Sequence, residues 1–269
     1  MDQILLEQSI SSASGLIVVP EPASGMASRR PDKDEIKNLP IEQGKPFVDG
    51  PRNEQRDTAQ VLHVGCGLHH RGKLPPVFQD GWREIRLDID PEVHPDVVAS
   101  ITDMGEISDR EVDAVYSSHN IEHLFPHEVP VALREMRRVL KPGGFALIKL
   151  PDLQEVARHI ATGKLEDPLY ISPMGPIAPL DILYGHRPSL ASGNAFMAHR
   201  TGFTGETLGA ALIKAGFAAV LVQRDLPAFC LTAVAFRSKP RDEDVKSAQA
   251  RMLPAADQPA VLYATATIP

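Results

Sequence analysis

Residues 61–67 read Val-Leu-His-Val-Gly-Cys-Gly, a mostly aliphatic run that breaks directly into two glycines. Aliphatic and β-branched residues in a short unbroken run predict a strand buried on both faces, the kind found in parallel sheets. Gly65 and Gly67 then sit at the strand's carboxyl end, where glycine opens backbone conformations closed to other residues and lets a ligand approach the main chain. Working outward, similar runs occur at Glu84–Asp88, Val97–Ser100, Val112–Ser117 and Phe145–Leu150, with helical stretches between some of them. Such alternation predicts an α/β fold in which a parallel sheet is wrapped by helices. One helix is clear from spacing alone: Val129, Leu133, Met136 and Leu140 recur at steps of four, three and four. Pro130 is tolerable in its first turn, and Arg134, Glu135, Arg137 and Arg138 are expected to form a solvated face. Lys141-Pro142-Gly143-Gly144 should end the helix with a left-handed glycine and a sharp reversal.

The ends of these strands carry polar residues in a concerted way. Asp88 lies 21 positions beyond Gly67 (88 − 67), a spacing that suits a carboxylate accepting two hydrogen bonds from a ribose diol. The third strand ends in Ile101-Thr102-Asp103-Met104, where Asp103 can accept from an adenine amino group and Met104, or Ile89, can cover the ring. The fourth runs into Tyr116-Ser117-Ser118-His119-Asn120-Ile121-Glu122-His123-Leu124 at the same edge.

With these residues in view the chain resembles the class I S-adenosylmethionine-dependent methyltransferase superfamily. VLHVGCG, RLDIDP, SITDM, VDAVYSSHNIEHL and REMRRVLKPGGFALIKLP carry the likeness over about residues 60–151, and Ala218–Phe236 looks like the family's last two strands. The resemblance implies a Rossmann-like, doubly wound, mostly parallel seven-stranded sheet, with a lid inserted before the last helix and strand pair. It implies S-adenosylmethionine as cofactor, held by His63, Gly65, Cys66, Gly67, Asp88, Ile89, Thr102, Asp103, Met104, Ser117, Ser118 and His119. Many members have an acid where His63 stands, and a third glycine is missing, with His69-His70-Arg71 following instead. A nicotinamide oxidoreductase would use the same sheet but expects G-x-G-x-x-G, where this chain has His70. A protein that keeps the fold and binds the cofactor without turnover is the other alternative.

Expected domain boundaries are an N-terminal arm over 1–57, a methyltransferase domain over 58–239 with its lid at about 163–205, and a tail over 240–269. The arm is rich in proline and charge and expected to be partly extended; its apolar piece Gly15–Val19 can add a strand or pack on the core, with a flexible leader the favoured reading. The tail holds a charged helix candidate and an apolar stretch, Val261–Ile268, with no assigned role. The lid segment supplies Tyr184, Arg187, Phe196, His199 and Arg200 as candidate substrate-binding residues, which points to a small-molecule acceptor, anionic with an apolar body, unless the two arginines bind the protein's own acids, an equal alternative. Methyl transfer to oxygen or nitrogen is expected, with His119 or His123 as the candidate catalytic base. His119, Glu122, His123 and His127 have spacings that can converge on a metal, but Pro126 limits the helix, and capping and packing are expected rather than a metal.

A net charge of −7 argues against a nucleic-acid partner. The acidic start of MDQILLEQSI and the short apolar runs argue against a signal peptide and a membrane partner, so a cytoplasmic location is expected, with homo-oligomerisation left open. Two cysteines, Cys66 and Cys230, are too few for a disulfide framework.

Overall fold

A computed structural model describes residues 16–19, 58–68, 74–255 and 259–265. The rest of the arm, His69, His70, Arg71 and the last part of the apolar tail lie outside the described residues. In chain order the strands are β1 (Leu16–Val19), β2 (Ala59–Val64), β3 (Trp82–Asp88), β4 (Val97–Val98), β5 (Val112–Ser118), β6 (Leu140–Pro151), β7 (Tyr170–Ser172), β8 (Gly175–Ile177), β9 (Ala219–Asp225), β10 (Cys230–Phe236) and β11 (Val261–Thr265). The α-helices are α1 (Val129–Val139), α2 (Leu153–Ile160), α3 (Pro179–Tyr184), α4 (Arg187–Ala191), α5 (Gly205–Lys214) and α6 (Asp242–Met252).

Nine strands make one sheet in the order β1-β11-β9-β10-β6-β5-β2-β3-β4. Its inner part is the Rossmann-like sheet the sequence implies: β4, β3, β2, β5 and β6 run parallel, and β10 is antiparallel to both β6 and β9. Two further strands extend it at the β9 edge. The apolar tail becomes β11, antiparallel to β9, and the apolar piece of the arm becomes β1, parallel to β11 from Leu16↔Leu262 to Val19↔Thr265. At four and five residues, β1 and β11 are too short for a sequence period to reveal them.

Each face of the sheet has its own core. On one, Leu133 and Met136 of α1 and Leu208 and Leu212 of α5 pack with Val64, Leu87 and Val115. On the other, Phe78, Tyr116, Phe145 and Phe236 pack with Ala248 and Met252 of α6. Each such side chain contributes about 1.5–3 kcal/mol of burial. The 3-10 turn Pro76–Phe78 stands where the first helix of the unit would be, as its paired prolines dictate.

Two expectations fail locally. The KPGG stretch is no left-handed glycine cap: α1 ends at Leu140 with φ −71° and ψ 138°, and neither Gly143 nor Gly144 is among the residues with positive φ. Instead the β5–β6 register jumps from Val112↔Leu140 to Ala114↔Phe145, so the four residues bulge out of an otherwise continuous strand. Gly144 is needed for close approach, since a Cβ there would lie 2.8 Å from the Asp113 carbonyl oxygen. Nor is the polar face of α1 merely solvated: only Arg134 is exposed, while Glu135 and Arg138 bind the loop after β4 and Arg137 donates to the Gly216 carbonyl at 2.7 Å.

Candidate functional site

The carboxyl ends of β2, β3 and β5 converge on one rim. Gly65 and Gly67 adopt φ of 63° and 57°, conformations that explain the glycines. The Gly67 amide donates to Asp88 Oδ2 at 2.7 Å, and the Asp90 amide donates to Asp88 Oδ1 at 3.0 Å. Asp88 thus ties the two strand ends together and keeps acceptor capacity on each oxygen. Arg86, overlooked in the sequence, braces the same rim by donating to the carbonyls of Gly67, Val93 and His94. A Cβ at Gly65 would lie 2.5–2.9 Å from the carboxamide atoms of Asn120, so that amide fills the space glycine leaves. Asn120 Nδ2 is buried and has no hydrogen-bond partner, an orphan donor facing the glycine turn.

After β4, Asp103 accepts from the Gly105 amide at 3.3 Å, and Thr102 Oγ1 bonds Ser100 Oγ at 2.7 Å. Met104 is fully buried in the main core, whereas Ile89 at the end of β3 is 50% exposed. The Met104 backbone is clamped from α1, its amide donating to Glu135 Oε2 at 3.0 Å and its carbonyl accepting from Arg138 at 2.9 Å. Arg138 holds the Glu135 carboxyl below its ordinary range, outweighing burial. His63 points away from this rim: its Nδ1 lies 2.7 Å from Glu84, and its ring packs 5.0 Å from that of Tyr116 on the opposite face. Cys66 is buried, its amide donating to the Leu87 carbonyl at 3.2 Å.

Beyond β5 the chain crowds titratable groups. Ser117 is buried with its hydroxyl unpartnered, followed by Ser118 and by His119 at φ 49°, left-handed for a non-glycine residue. The 3-10 turn Ile121–His123 then buries Glu122 to 1% exposure, with neither carboxylate oxygen hydrogen-bonded. His119 Nδ1 lies 3.4 Å from Glu122 Oε1. Burial opposes charge on the His119 ring, whose side chain is 49% exposed, but Cys230 and Glu122 outweigh it and raise the pKa. The inserted segment closes over this point. His199 stacks edge-on against His123 with centroids 4.8 Å apart, and each directs Nδ1 to a backbone carbonyl: His123 to Ala198 at 3.1 Å, His199 to Ile182 at 2.6 Å. Tyr170 faces the same cluster, its phenol pushed up by burial and by the charges of Cys230, Glu122 and Asp181.

The other lid residues behave differently. Arg187 is engaged by the protein's own acid, with Nε 2.9 Å from Asp181 Oδ1 and Nη2 3.2 Å from Oδ2. Arg200 donates to the His123 carbonyl at 3.1 Å and lies 4.7 Å over the Phe125 ring. Tyr184 and Phe196 are 64% and 53% exposed, on the outside of the lid. Asn120, Cys230 and Asp181 were not singled out in the sequence, because only the fold shows what each faces.

The family model described as a methyltransferase domain matches residues 62–148, the stretch that builds β2 to β6 and the rim. Residues 62–148 are thus a methyltransferase domain with S-adenosylmethionine as its cofactor. The residues present fit that cofactor: a diol acceptor at Asp88, two backbone-exposing glycines, and an unsatisfied buried donor at Asn120. Among solved structures the chain is similar to a Burkholderia thailandensis 1,6-didemethyltoxoflavin-N1-methyltransferase with bound 1,6-didemethyltoxoflavin and S-adenosylhomocysteine, at 18% identity and a TM-score of 0.44 over 67% of this chain and 72% of that one. It is also similar to an Archaeoglobus fulgidus SAM-dependent methyltransferase, at 18% identity and a TM-score of 0.42 over 66% and 86%. A third is a Thermotoga maritima methyltransferase described as a possible histamine N-methyltransferase, at 14% identity and a TM-score of 0.42 over 68% and 84%. No curated protein matches the chain. Among the described residues no helix is long and apolar enough to cross a membrane.

Proposed function

We propose that the chain methylates an oxygen or nitrogen of a small molecule held between the β5 rim and the inserted segment. The observation that carries this reading is the buried Glu122 carboxylate with His123 and His199 beside it, roofed by residues 170–200. Because both imidazoles have Nδ1 on a carbonyl, their Nε2 atoms hold lone pairs, so the cluster offers acceptors that orient a hydroxyl or amine. His123 is thereby the better placed of the two candidate bases; His119 leans on Glu122 and Cys230. S-adenosylmethionine supplies an electrophilic methyl on a sulfonium leaving group. Alignment and water exclusion are then the main demands on the protein. Gly65, Gly67, Asp88, Ile89, Thr102, Asp103, Ser117, Ser118 and Asn120 are the residues assigned to hold the cofactor, the backbone of Met104 completing the adenine edge. With Arg187 already bound to Asp181, an anionic acceptor is no longer required, and Arg200 alone remains for one. The test is incubation with methyl-labelled cofactor and a fractionated metabolite extract, reading label in products and formation of S-adenosylhomocysteine. Label in a small hydroxyl- or amine-bearing compound is expected; label confined to protein or nucleic acid would overturn the small-molecule reading.

A further inference from the structure

We infer that Glu122, His123 and His199 form a binding site for one divalent metal ion of the zinc, cobalt or manganese class. Resting on the acceptor pocket proposed above, it assigns to that pocket a ligand for an acceptor oxygen, and the bound ion would take the place of the direct contacts from the His123 and His199 Nε2 atoms, His123 included as base. One donor atom from each residue lies within 4.8 Å of the others. Metal–ligand bonds of about 2.1 Å in tetrahedral geometry require donors about 3.4 Å apart, so closure of no more than about 1.4 Å completes the set.

Three independent features point to a cation rather than to a packed polar cluster. First, a carboxylate 99% removed from solvent with no hydrogen-bond partner within bonding distance, Oε1 meeting only the His119 ring and Oε2 nothing, is a costly arrangement that a cation at Oε2 would relieve. The His119 ring, 3.4 Å away and half exposed, addresses Oε1 alone and leaves Oε2 open. Second, His123 and His199 each have Nδ1 on a backbone carbonyl, the outer-sphere bond that fixes the tautomer and leaves Nε2 as the atom available to a ligand. Third, the two halves come from distant parts of the chain and are knitted together at the site: the amides of Arg200 and Thr201 both donate to the Glu122 carbonyl, at 2.8 and 3.2 Å. Residues 122 and 199 are thus held in register by backbone, not by side chains that would wander. Two imidazoles and one carboxylate match the donor preferences of borderline transition metals and leave further positions for water or for an acceptor oxygen. Calcium and magnesium, which prefer all-oxygen shells, are disfavoured.

The experiment uses the full chain, stripped with chelator and titrated with Co²⁺ followed by visible absorption, then with Zn²⁺ by calorimetry. One ion per chain and a d–d band are expected, with binding weakened more than about 100-fold in both Glu122→Gln and His199→Asn, since losing a ligand should exceed the loss of an outer-sphere partner. His127→Ala, the exposed neighbour outside the cluster, should leave affinity unchanged. S-adenosylhomocysteine affinity is measured on every variant to show an intact fold, and if one ligand variant does not fold, the other decides. Absent stoichiometric binding, or binding equal in the wild type and His199→Asn, overturns the site. Co²⁺ binding without any methyl transfer to small molecules would sink the acceptor reading and leave the metal site standing.

Discussion

Replacing Asp88 by alanine tests the cofactor rim at its most connected point. The carboxylate has about four acceptor positions, and two are occupied by the amides of Gly67 and Asp90 at 2.7 and 3.0 Å. The remaining two suit a vicinal diol. A hydrogen bond to a charged group is worth about 1.5–3 kcal/mol, and the two share one carboxylate, so a combined loss of about 3 kcal/mol is expected on cofactor binding. That corresponds to roughly a 150-fold rise in Kd. The alanine variant also frees the Gly67 amide, but this turn is still braced by Arg86 through the Gly67 carbonyl, so the fold should survive. Asp88→Asn keeps one carbonyl acceptor and loses the charge, and should fall midway. Isothermal calorimetry with S-adenosylhomocysteine reads the effect. An alanine variant that is folded and binds within twofold of wild type would refute the ribose assignment; Asp90, which caps the 3-10 turn at Pro91–Val93, would then be the acid to test.

Asn120→Ala should weaken S-adenosylhomocysteine about tenfold, the scale of one lost hydrogen bond, while 5′-methylthioadenosine, which lacks the amino-acid end, should bind unchanged; equal losses for both would move Asn120 away from that end. Burial alone would raise the Asp181 carboxyl, but Arg187 and the amides of Ala178 and Arg187 hold it down to about 2. Because the folded pKa lies below the ordinary value of 3.8, the unfolded chain takes up this proton first, and the stability Asp181 confers should fade as pH drops from about 4 to about 2. Denaturant midpoints should therefore fall less steeply in that window for Asp181→Asn than for wild type; parallel curves would count against the pair. Gly209→Ala places a Cβ 2.6–2.8 Å from the Tyr263 ring and should cost about 1–3 kcal/mol of stability with cofactor affinity untouched, measured by thermal melting and calorimetry.

How far the sequence could be read depended on whether a residue's partner was close in the chain or implied by a repeating period. Strands β2, β3, β5 and β6, helix α1 and the place of Asp88 at the end of β3 were legible because burial period and strand-end chemistry are local signals. The KPGG stretch misled because the same residues that cap a helix also make a bulge, and the choice depends on Asp113 across the sheet. The charges of α1 misled because their partners, Met104 and Gly216, lie about 30 and 80 positions away. His199 was visible only as a lid residue, and nothing local ties it to Glu122; that tie runs through the backbone contacts of residues 200 and 201. Helix α2 was missed altogether, since eight residues give too few turns for a period, though Asp152 bonding the Gln154 amide at 3.0 Å is a cap that the sequence does contain.

Joining Leu16 to Leu262 also sets an order of events during synthesis. The two residues are 246 positions apart (262 − 16), so at bacterial or eukaryotic elongation rates β1 waits roughly 10–50 s for β11. Throughout that interval Leu-Ile-Val-Val is an unpaired aliphatic segment beside the ribosome, the kind of segment that holdase chaperones capture and that pairs with the same segment of a neighbouring nascent chain. In the sheet order β11 pairs with β9 and β1 pairs with β11, so β1 has its pairing partner only once β11 lies on the β9 edge.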